Sequence, residues 1–441
     1  MDSTIRNEKK LRVGILGGGP AGLVAALALE RYAPEYIDVV LLDRNKSETD
    51  YPGVEYGIQE RACRALDRIG VKDDALRRGN PNTEIAYSVV RKGKVQGVVK
   101  VDPKWCVTVV RQEFLADLAA LLQTTTVHRR TYVEQVTPAD EGRVALHCRA
   151  DEGDIPTYEF DCLIAADGVQ SVVRKTFFPD FAKTYDRGFS CIYMLVEARG
   201  EGTPTHFQRI ANGGRSELFM GSFSTMTMFP LGHDRLALGI GFDHATRDRL
   251  WAEVGLAADI PWPKIDSTRK RAIALRLASD VPAHDSLFVK LLSAFVPDWD
   301  SYKIYLWGMK DSDPLQTPYV SSTNVAIIGD AAHAFMPTIG MGASLAMEDA
   351  EMLASRLASV ARRYADREQS RRALKEEVFV PFTRERVPVW NDLMYRARWA
   401  ARGNFFRQGE RGRFSIAPQI PGFIPSRVVG AMEWVADRLH L

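Results

Sequence analysis

What this chain has little of narrows its class before any motif is read. Its 441 residues contain five cysteines, Cys63, Cys106, Cys148, Cys162 and Cys191, with no C-x-x-C pair among them. So few, so scattered, cannot build a disulfide framework, and the expectation is reduced, buried thiols in a cytoplasmic protein. No apolar run approaches the ~18 residues that would cross a bilayer, and the opening MDSTIRNEKK lacks the apolar core of a secretory signal. The eight histidines show no metal-ligand spacing, so no metal site is expected. A net charge of +2 points to no particular partner, and the arginines follow no nucleic-acid-binding motif. Only residues 361–415 are uneven, with fourteen basic residues against seven acidic ones. A solvated helical face accounts for that excess; the sharper alternatives are a surface for a phosphate-bearing carrier or a membrane-surface contact. Val428, Met432, Val435 and Leu439, with Trp434 beside them, have the spacing of a terminal helix docked on its own core.

What is present is glycine in the right places. An apolar strand over 13–16 stops at GGGPAG, residues 17–22, where a helical pattern begins. Gly17, Gly19 and Gly22 fit G-x-G-x-x-G: a tight turn, a bare backbone for a pyrophosphate to approach, and close packing of helix on strand. Pro20 and Ala21 open the helix, whose free amides would face the phosphates. A second strand over 37–42 ends in Asp43, placed to accept from ribose hydroxyls, followed by Arg44, which could lie over an adenine. Alone, such a fingerprint is as readily a ligand-free turn. Two later segments argue otherwise.

The strand over 162–166 ends in Asp167-Gly168, with Ser171 and Arg174 downstream. The strand over 325–328 ends in Gly329-Asp330, and Gly340-Met341-Gly342-Ala343-Ser344 opens a long helix. In a flavin site Asp330 can bond the ribityl hydroxyls, while amides near Gly342 and Ala343 face the pyrimidine edge and stabilise its charge on reduction. Three segments returning to one place describe a cradle for FAD.

The pattern along the chain changes with them. Residues 1–184 alternate strand and helix and read as the first part of an FAD-binding domain, with strands of a second domain near 80–110. Longer strand-like runs at 189–197, 217–230 and 235–242 suggest an inserted antiparallel sheet over 185–320 that handles substrate. Residues 321–400 return to the FAD domain, and 401–441 form a helical extension. The fold class is α/β.

These segments, with Gly57-Ile58 before the helix at Ala65-Leu66 and with Arg111 to Leu118, resemble the signatures of single-component FAD-dependent aromatic hydroxylases, the group of para-hydroxybenzoate and salicylate hydroxylases. The likeness covers roughly residues 11–400. It implies a Rossmann-like FAD domain interleaved with a sheet-based substrate domain. It also implies that Arg111 approaches the cofactor phosphates, that Asp330 binds the ribityl chain, and that Pro337 lies beside the reactive flavin edge. The activity it implies is a monooxygenase that draws electrons from NADPH or NADH and transfers oxygen from dioxygen, through a flavin hydroperoxide, to hydroxylate or epoxidise an aromatic or polycyclic small molecule. No protein nucleophile is needed. Met341 and Ser344 stand where many members have glutamine and asparagine, and Ala165 where glycine is usual.

The pocket is read more thinly. Ser222, Ser224, Met226 and Met228 share one face of a strand by its two-residue period, opposite Phe223, Thr225, Thr227 and Phe229. Ser224, Met226 and Met228, with Tyr193, are the candidate pocket residues, suited to a bulky, weakly charged aromatic molecule; ordinary sheet core is the alternative. His333 fits a structural role beside the cofactor better than a base, with Tyr193 and His206 as weaker base candidates. The chain is expected to act as a monomer or homodimer. Other functions compatible with the cradle are a prenyl-chain reductase, a halogenase, for which only Trp262-Pro263 speaks, and a non-catalytic module resembling the GDP dissociation inhibitors.

Overall fold

The Leu11–Leu16 strand is apolar at nearly every position because both faces of its sheet are covered. In the computed structural model it lies inside a six-stranded sheet, flanked by Ile37–Leu42 on one side and Cys162–Ala165 on the other, all parallel. Val325–Ile327 pairs in parallel beyond Cys162–Ala165, so a late segment of chain completes a sheet begun by the first strand. Thr126–His128 and the antiparallel Tyr319–Val320 form the edges. The structure describes residues 10–404, apart from 48–52, 92–93, 102–105, 150–156, 198–204, 221–223, 258, 280–303, 321 and 365. The expected terminal helix at 428–439 therefore lies outside the described residues, as does Ser222.

Two helices dominate one face of this sheet. The fingerprint helix, Pro20–Tyr32, is buried along ten consecutive residues, and the return helix, Gly342–Arg363, packs directly against it. Between them Gly329 comes so close that a Cβ there would meet Ala346 Cβ at 3.2 Å and Ala21 Cβ at 3.5 Å. The first and third motifs are thus held in one packed layer.

A second, seven-stranded sheet draws its strands from three stretches: Glu84–Arg91 and Lys94–Val101, then four strands between Tyr185 and Asp243, then Tyr305–Asp311. It is antiparallel except where Arg215–Met220 runs parallel to Glu84–Arg91. The run 217–230, expected as one strand, is two antiparallel strands, Arg215–Met220 and Ser224–Gly232, with Glu217 opposite Met228. One face of this sheet is covered by helices Thr205–Ala211, His244–Glu253 and Ser267–Ser279, which pack Phe207, Trp251 and Ile273 onto it. The other face is turned toward Val54, Val110 and Met336, which belong to the flavin-domain side. All five cysteines are free and buried. Among the described residues no helix is long and apolar enough to cross a membrane.

Candidate active site

At the first strand's end the backbone leaves no choice of residue. Gly17 has φ +106°, and a Cβ there would lie 2.4 Å from the Ala166 carbonyl oxygen. A Cβ on Gly22 would fall 1.8 Å from the Gly17 oxygen, so only glycine lets helix and strand meet. Gly19 behaves differently. It caps the fingerprint helix, and a Cβ on it would meet no atom within 4 Å. The helix begins with Pro20, which needs no amide partner, and its first turn carries no side-chain cap, as an anion site requires. Asp43, just past the second strand, is 2% exposed and already accepts from Arg129 Nη1 at 3.0 Å and from the Asn45 amide at 3.2 Å. A ribose hydroxyl would share this carboxylate with both. Arg44 is exposed beside it.

The second motif braces the third. Asp167 accepts from the Val172 amide at 2.8 Å, which leaves its other oxygen buried and unpartnered; burial raises its pKa. Gly168 makes the following turn, and Ser171 caps the short helix Val172–Phe177 by accepting from the Arg174 amide at 2.9 Å. Arg174 is 3% exposed and meets five acceptors: Nε donates to the Phe181 carbonyl, Nη2 to the Asp313 carbonyl, and the two Nη1 hydrogens are shared among the Ala331 and Ala332 carbonyls and the Ser312 hydroxyl. The Ala331 and Ala332 carbonyls follow Asp330 directly, so the guanidinium sets the turn that carries that acid.

Asp330 reaches solvent although protein crowds it from every side, as at the floor of a cleft; the crowding raises its pKa, opposed by His333 and Arg111. Pro337 is exposed on a turn that Met336 anchors on the second sheet. Gly340 is exposed at the end of that turn, and Gly342 and Ala343 open the return helix, where a Cβ on Gly342 would meet nothing within 4 Å. The departures from the family pattern have local explanations. Ser344 Oγ accepts from the Gln59 amide at 2.9 Å and donates to the Gly57 carbonyl, tying the helix start to the Glu55–Ile58 strand. Gln59 Nε2 donates to the Gly340 carbonyl at 3.0 Å. Met341 and Ala165 are buried in the main core.

Arg111 begins its own helix beside this cleft. Its guanidinium lies 4.8 Å from the centre of the Tyr56 ring, and its Nε is buried without a hydrogen-bond partner. Burial pushes the Tyr56 phenol up to about 12 and the Glu55 carboxyl up to about 7, Arg111 opposing both shifts. Across the seam stands the open face of the second sheet, where Tyr193, Leu195, Phe229 and Tyr305 pack against Val54 and Val110. Cys191 and Met309 pack on Met336 in the same face. Tyr193 therefore stands at the cleft, its phenol pushed well up by burial.

Met226 and Met228 do not. Both are fully buried against the helices on the far face, with Ile240, Phe242 and Trp251. The two-residue alternation holds, and the methionine face is the ordinary sheet core; alternation separates two faces without saying which one meets the cofactor domain. Thr225, Thr227 and Phe229 occupy the cleft side. Thr227 faces Gly239, whose missing side chain leaves room for the Tyr193 ring, and Thr227 Oγ1 is buried without a partner. Ser224 begins the strand, and its side chain is outside the described residues, as is that of His206. Trp262 is buried under the far face and donates to the Ile304 carbonyl, so it stands in the far-face core and not at the seam.

A family model described as an FAD binding domain matches residues 10–203 and 300–376. The chain belongs to this family. As one of its FAD-dependent oxidoreductases, it is similar to a salicylate hydroxylase of Pseudomonas putida, 29% identical over 377 residues that span 79% of this chain and 77% of the relative. An FAD-dependent monooxygenase of Talaromyces verruculosus is 25% identical over 394 residues, 84% of this chain and 73% of its own. In fold the chain is similar to HpxO of Klebsiella pneumoniae complexed with FAD and uric acid, with a TM-score of 0.70 at 21% identity and 92% of each chain covered. The residues present fit FAD: two helix starts with room for a ligand at Gly19 and Gly342, an acid on the cleft floor, and orphaned buried polar atoms on Asp167 and Arg111.

In this flavoprotein His333 is structural. It is fully buried, with Nε2 2.7 Å from Asp349 Oδ2 and its ring 4.4 Å from that of Trp390. Asp349 also accepts from Arg386 Nε at 2.6 Å and Trp390 Nε1 at 3.1 Å, and against burial Arg386 and His333 hold its carboxyl below the usual range. Within the described part of the basic stretch, arginines are paired the same way. Arg367 and Arg371 pair with buried Asp161, Arg386 with Glu348 and Asp349, and Arg398 with Asp311 and Asp313. Neither a carrier nor a membrane surface is needed to account for them.

Proposed function

We propose that the protein is a monooxygenase that uses NADPH or NADH and dioxygen to hydroxylate or epoxidise an aromatic or polycyclic small molecule. The observation that carries this reading is the seam itself: the Gly342 helix start, Asp330 and Pro337 form one wall, and an aromatic sheet face with Tyr193, Tyr305 and Phe229 stands opposite. When bound, FAD supplies electron transfer from the nicotinamide and activation of dioxygen.

The chain's residues do the rest. The amides of the fingerprint helix bind the pyrophosphate, and Asp43 and Arg44 receive the adenosine end. Asp330 takes the ribityl hydroxyls, Arg111 adds a positive charge at the seam, and the amides at Gly342 and Ala343 meet the pyrimidine edge, where the helix dipole stabilises negative charge. Asp167 and Gly168 hold the turn against which the cofactor rests. The sheet face excludes water and orients the substrate. The relatives called salicylate hydroxylase and FAD-dependent monooxygenase support oxygen insertion over a reductase or a binding module.

The test is product mass after incubation with NADPH and NADH, heavy dioxygen and a pooled panel of aromatic compounds. One heavy oxygen in a product is the expected result. A product altered only by two hydrogens would move the chain to the reductases, and a colourless preparation that rejects added FAD would remove the flavin reading altogether.

A further inference from the structure

Glu55 is a carboxylate without a task in the cofactor cradle. It starts the Glu55–Ile58 strand, paired with Val110 at the seam, and its side chain is half-buried. Its neighbours in sequence and across the ladder, Val54 and Val110, touch the sheet face at Tyr193, Leu195, Phe229 and Tyr305. Among the described residues its carboxylate is bonded only by its own backbone amide, and Arg111 acts on it as a nearby charge while lying over Tyr56. A carboxylate crowded by protein and bonded to no other residue keeps acceptor sites that are costly unless something else bonds to them.

The facing wall supplies the second observation. Trp307 lies on the same strand face as Tyr305 and Met309, directly across the ladder from Cys191, and is 40% exposed. The other large side chains on this face, Tyr193, Leu195, Phe229 and Tyr305, are half-buried. An indole that stays open beside a row of phenol rings is a flat, apolar platform for a planar ring.

We infer that Glu55 receives an N–H or O–H donor of the substrate while Trp307, with Tyr193 and Tyr305, flanks its ring, so that the substrate is a neutral planar aromatic carrying a hydrogen-bond donor and not an aromatic acid. This rests on the monooxygenase reading and narrows it. The charged and titratable groups that act on Glu55 are Arg111, Tyr193 and Cys191, with Tyr56 beside it in the strand; Asp330 and Tyr305 in turn lie about Tyr56 and Arg111. Arg111, the one cation among them, lies against Tyr56 on the cofactor side. A second carboxylate brought against Glu55 would meet like charge in a water-poor seam.

The experiment uses the FAD-loaded protein and follows the change in flavin absorbance on titration with 2-naphthol or 2-naphthoate at pH 8. Wild type should bind the naphthol about tenfold or more tightly than the naphthoate, the span of one charge-assisted hydrogen bond. Glu55→Gln should reduce that ratio about tenfold, chiefly by admitting the naphthoate, and Glu55→Asp should keep most of the preference. Trp307→Ala should weaken both probes by a similar factor. A ratio unchanged in both Glu55→Gln and Glu55→Ala, a wild-type preference for naphthoate, or no flavin response to either probe would overturn the inference. Wild type that discriminates between the probes yet inserts no heavy oxygen would instead overturn the monooxygenase reading and leave the recognition by Glu55 standing.

Discussion

Arg174 donates from Nη1 to the Ala332 carbonyl oxygen at 2.9 Å, and this single bond crosses from the second cofactor motif to the third. The arginine is too buried to serve the cofactor directly. Its five bonds instead hold the turn on which Asp330 stands, so its place in the motif is explained by positioning.

Arg174→Lys should therefore be damaging although it keeps the charge. An ammonium has three donors for five acceptors, and each carbonyl left unsatisfied costs about 1 to 3 kcal/mol. We expect a loss of unfolding free energy on the order of 3 kcal/mol by denaturant titration, with weaker FAD retention. A variant as stable as wild type would refute the bracing role.

The two fingerprint glycines should fail in different ways. Gly19→Val places its side chain where no protein atom lies within 4 Å, so the apoprotein should melt within a degree or so of wild type while FAD affinity falls at least about tenfold. Gly22→Ala drives a methyl into the Gly17 carbonyl and should lower the melting temperature of the apoprotein itself. Calorimetry of both apoproteins beside fluorescence titration with FAD separates the two effects; equal melting losses would refute the distinction.

The corrected sheet face is testable by a pair of neighbours. Met228→Ala opens a cavity in the far-face core and should cost about 2 to 5 kcal/mol with ligand preference unchanged. Thr227→Val is nearly the same size, removes a buried hydroxyl that has no partner, and should leave stability within about 1 kcal/mol. It should nonetheless change the relative affinity for a set of aromatic ligands, read by flavin absorbance. The reverse pattern would put the pocket back on the methionine face.

Glu55 also makes a statement about stability and pH. Burial holds its carboxyl at about 7 in the folded chain against an ordinary 4.5. Between those values the native state keeps a proton that the unfolded chain has lost, so this residue's contribution falls as pH rises from about 4.5 to about 7 and is constant above. Glu55→Gln removes the penalty. The melting temperature of the variant relative to wild type, measured on the apoprotein, should rise by a few degrees from pH 5 to pH 8; a difference independent of pH would refute it.

Where the sequence was readable, the reason is local. Gly17, Gly19 and Gly22, with a strand before and a helix after, encode their geometry within a few residues, and Asp330 sits at a comparable strand end. Residues that act through distant partners left no such trace. Gln59 meets Ser344 and Gly340 about 280 positions later, and Arg174 reaches Ala331 across a gap of 157. Glu55 is one acid in an unremarked strand until the fold lays Tyr193 near it. The 217–230 run concealed a chain reversal because polar and apolar residues keep alternating through it. Met226 and Met228 show the limit of periodicity, which fixes a phase but carries no sign.

Val325–Ile327 joins a sheet whose other parallel strands precede it by 160 residues or more, and the return helix that covers the first helix comes later still. A ribosome making this protein has thus released about three-quarters of the chain before either end of the cradle can close. Until then the nascent chain shows an unfinished parallel sheet with an open edge. We therefore expect the flavin to load only on completed chains, and a product truncated anywhere before the return helix to retain no FAD, however much of the glycine fingerprint it keeps.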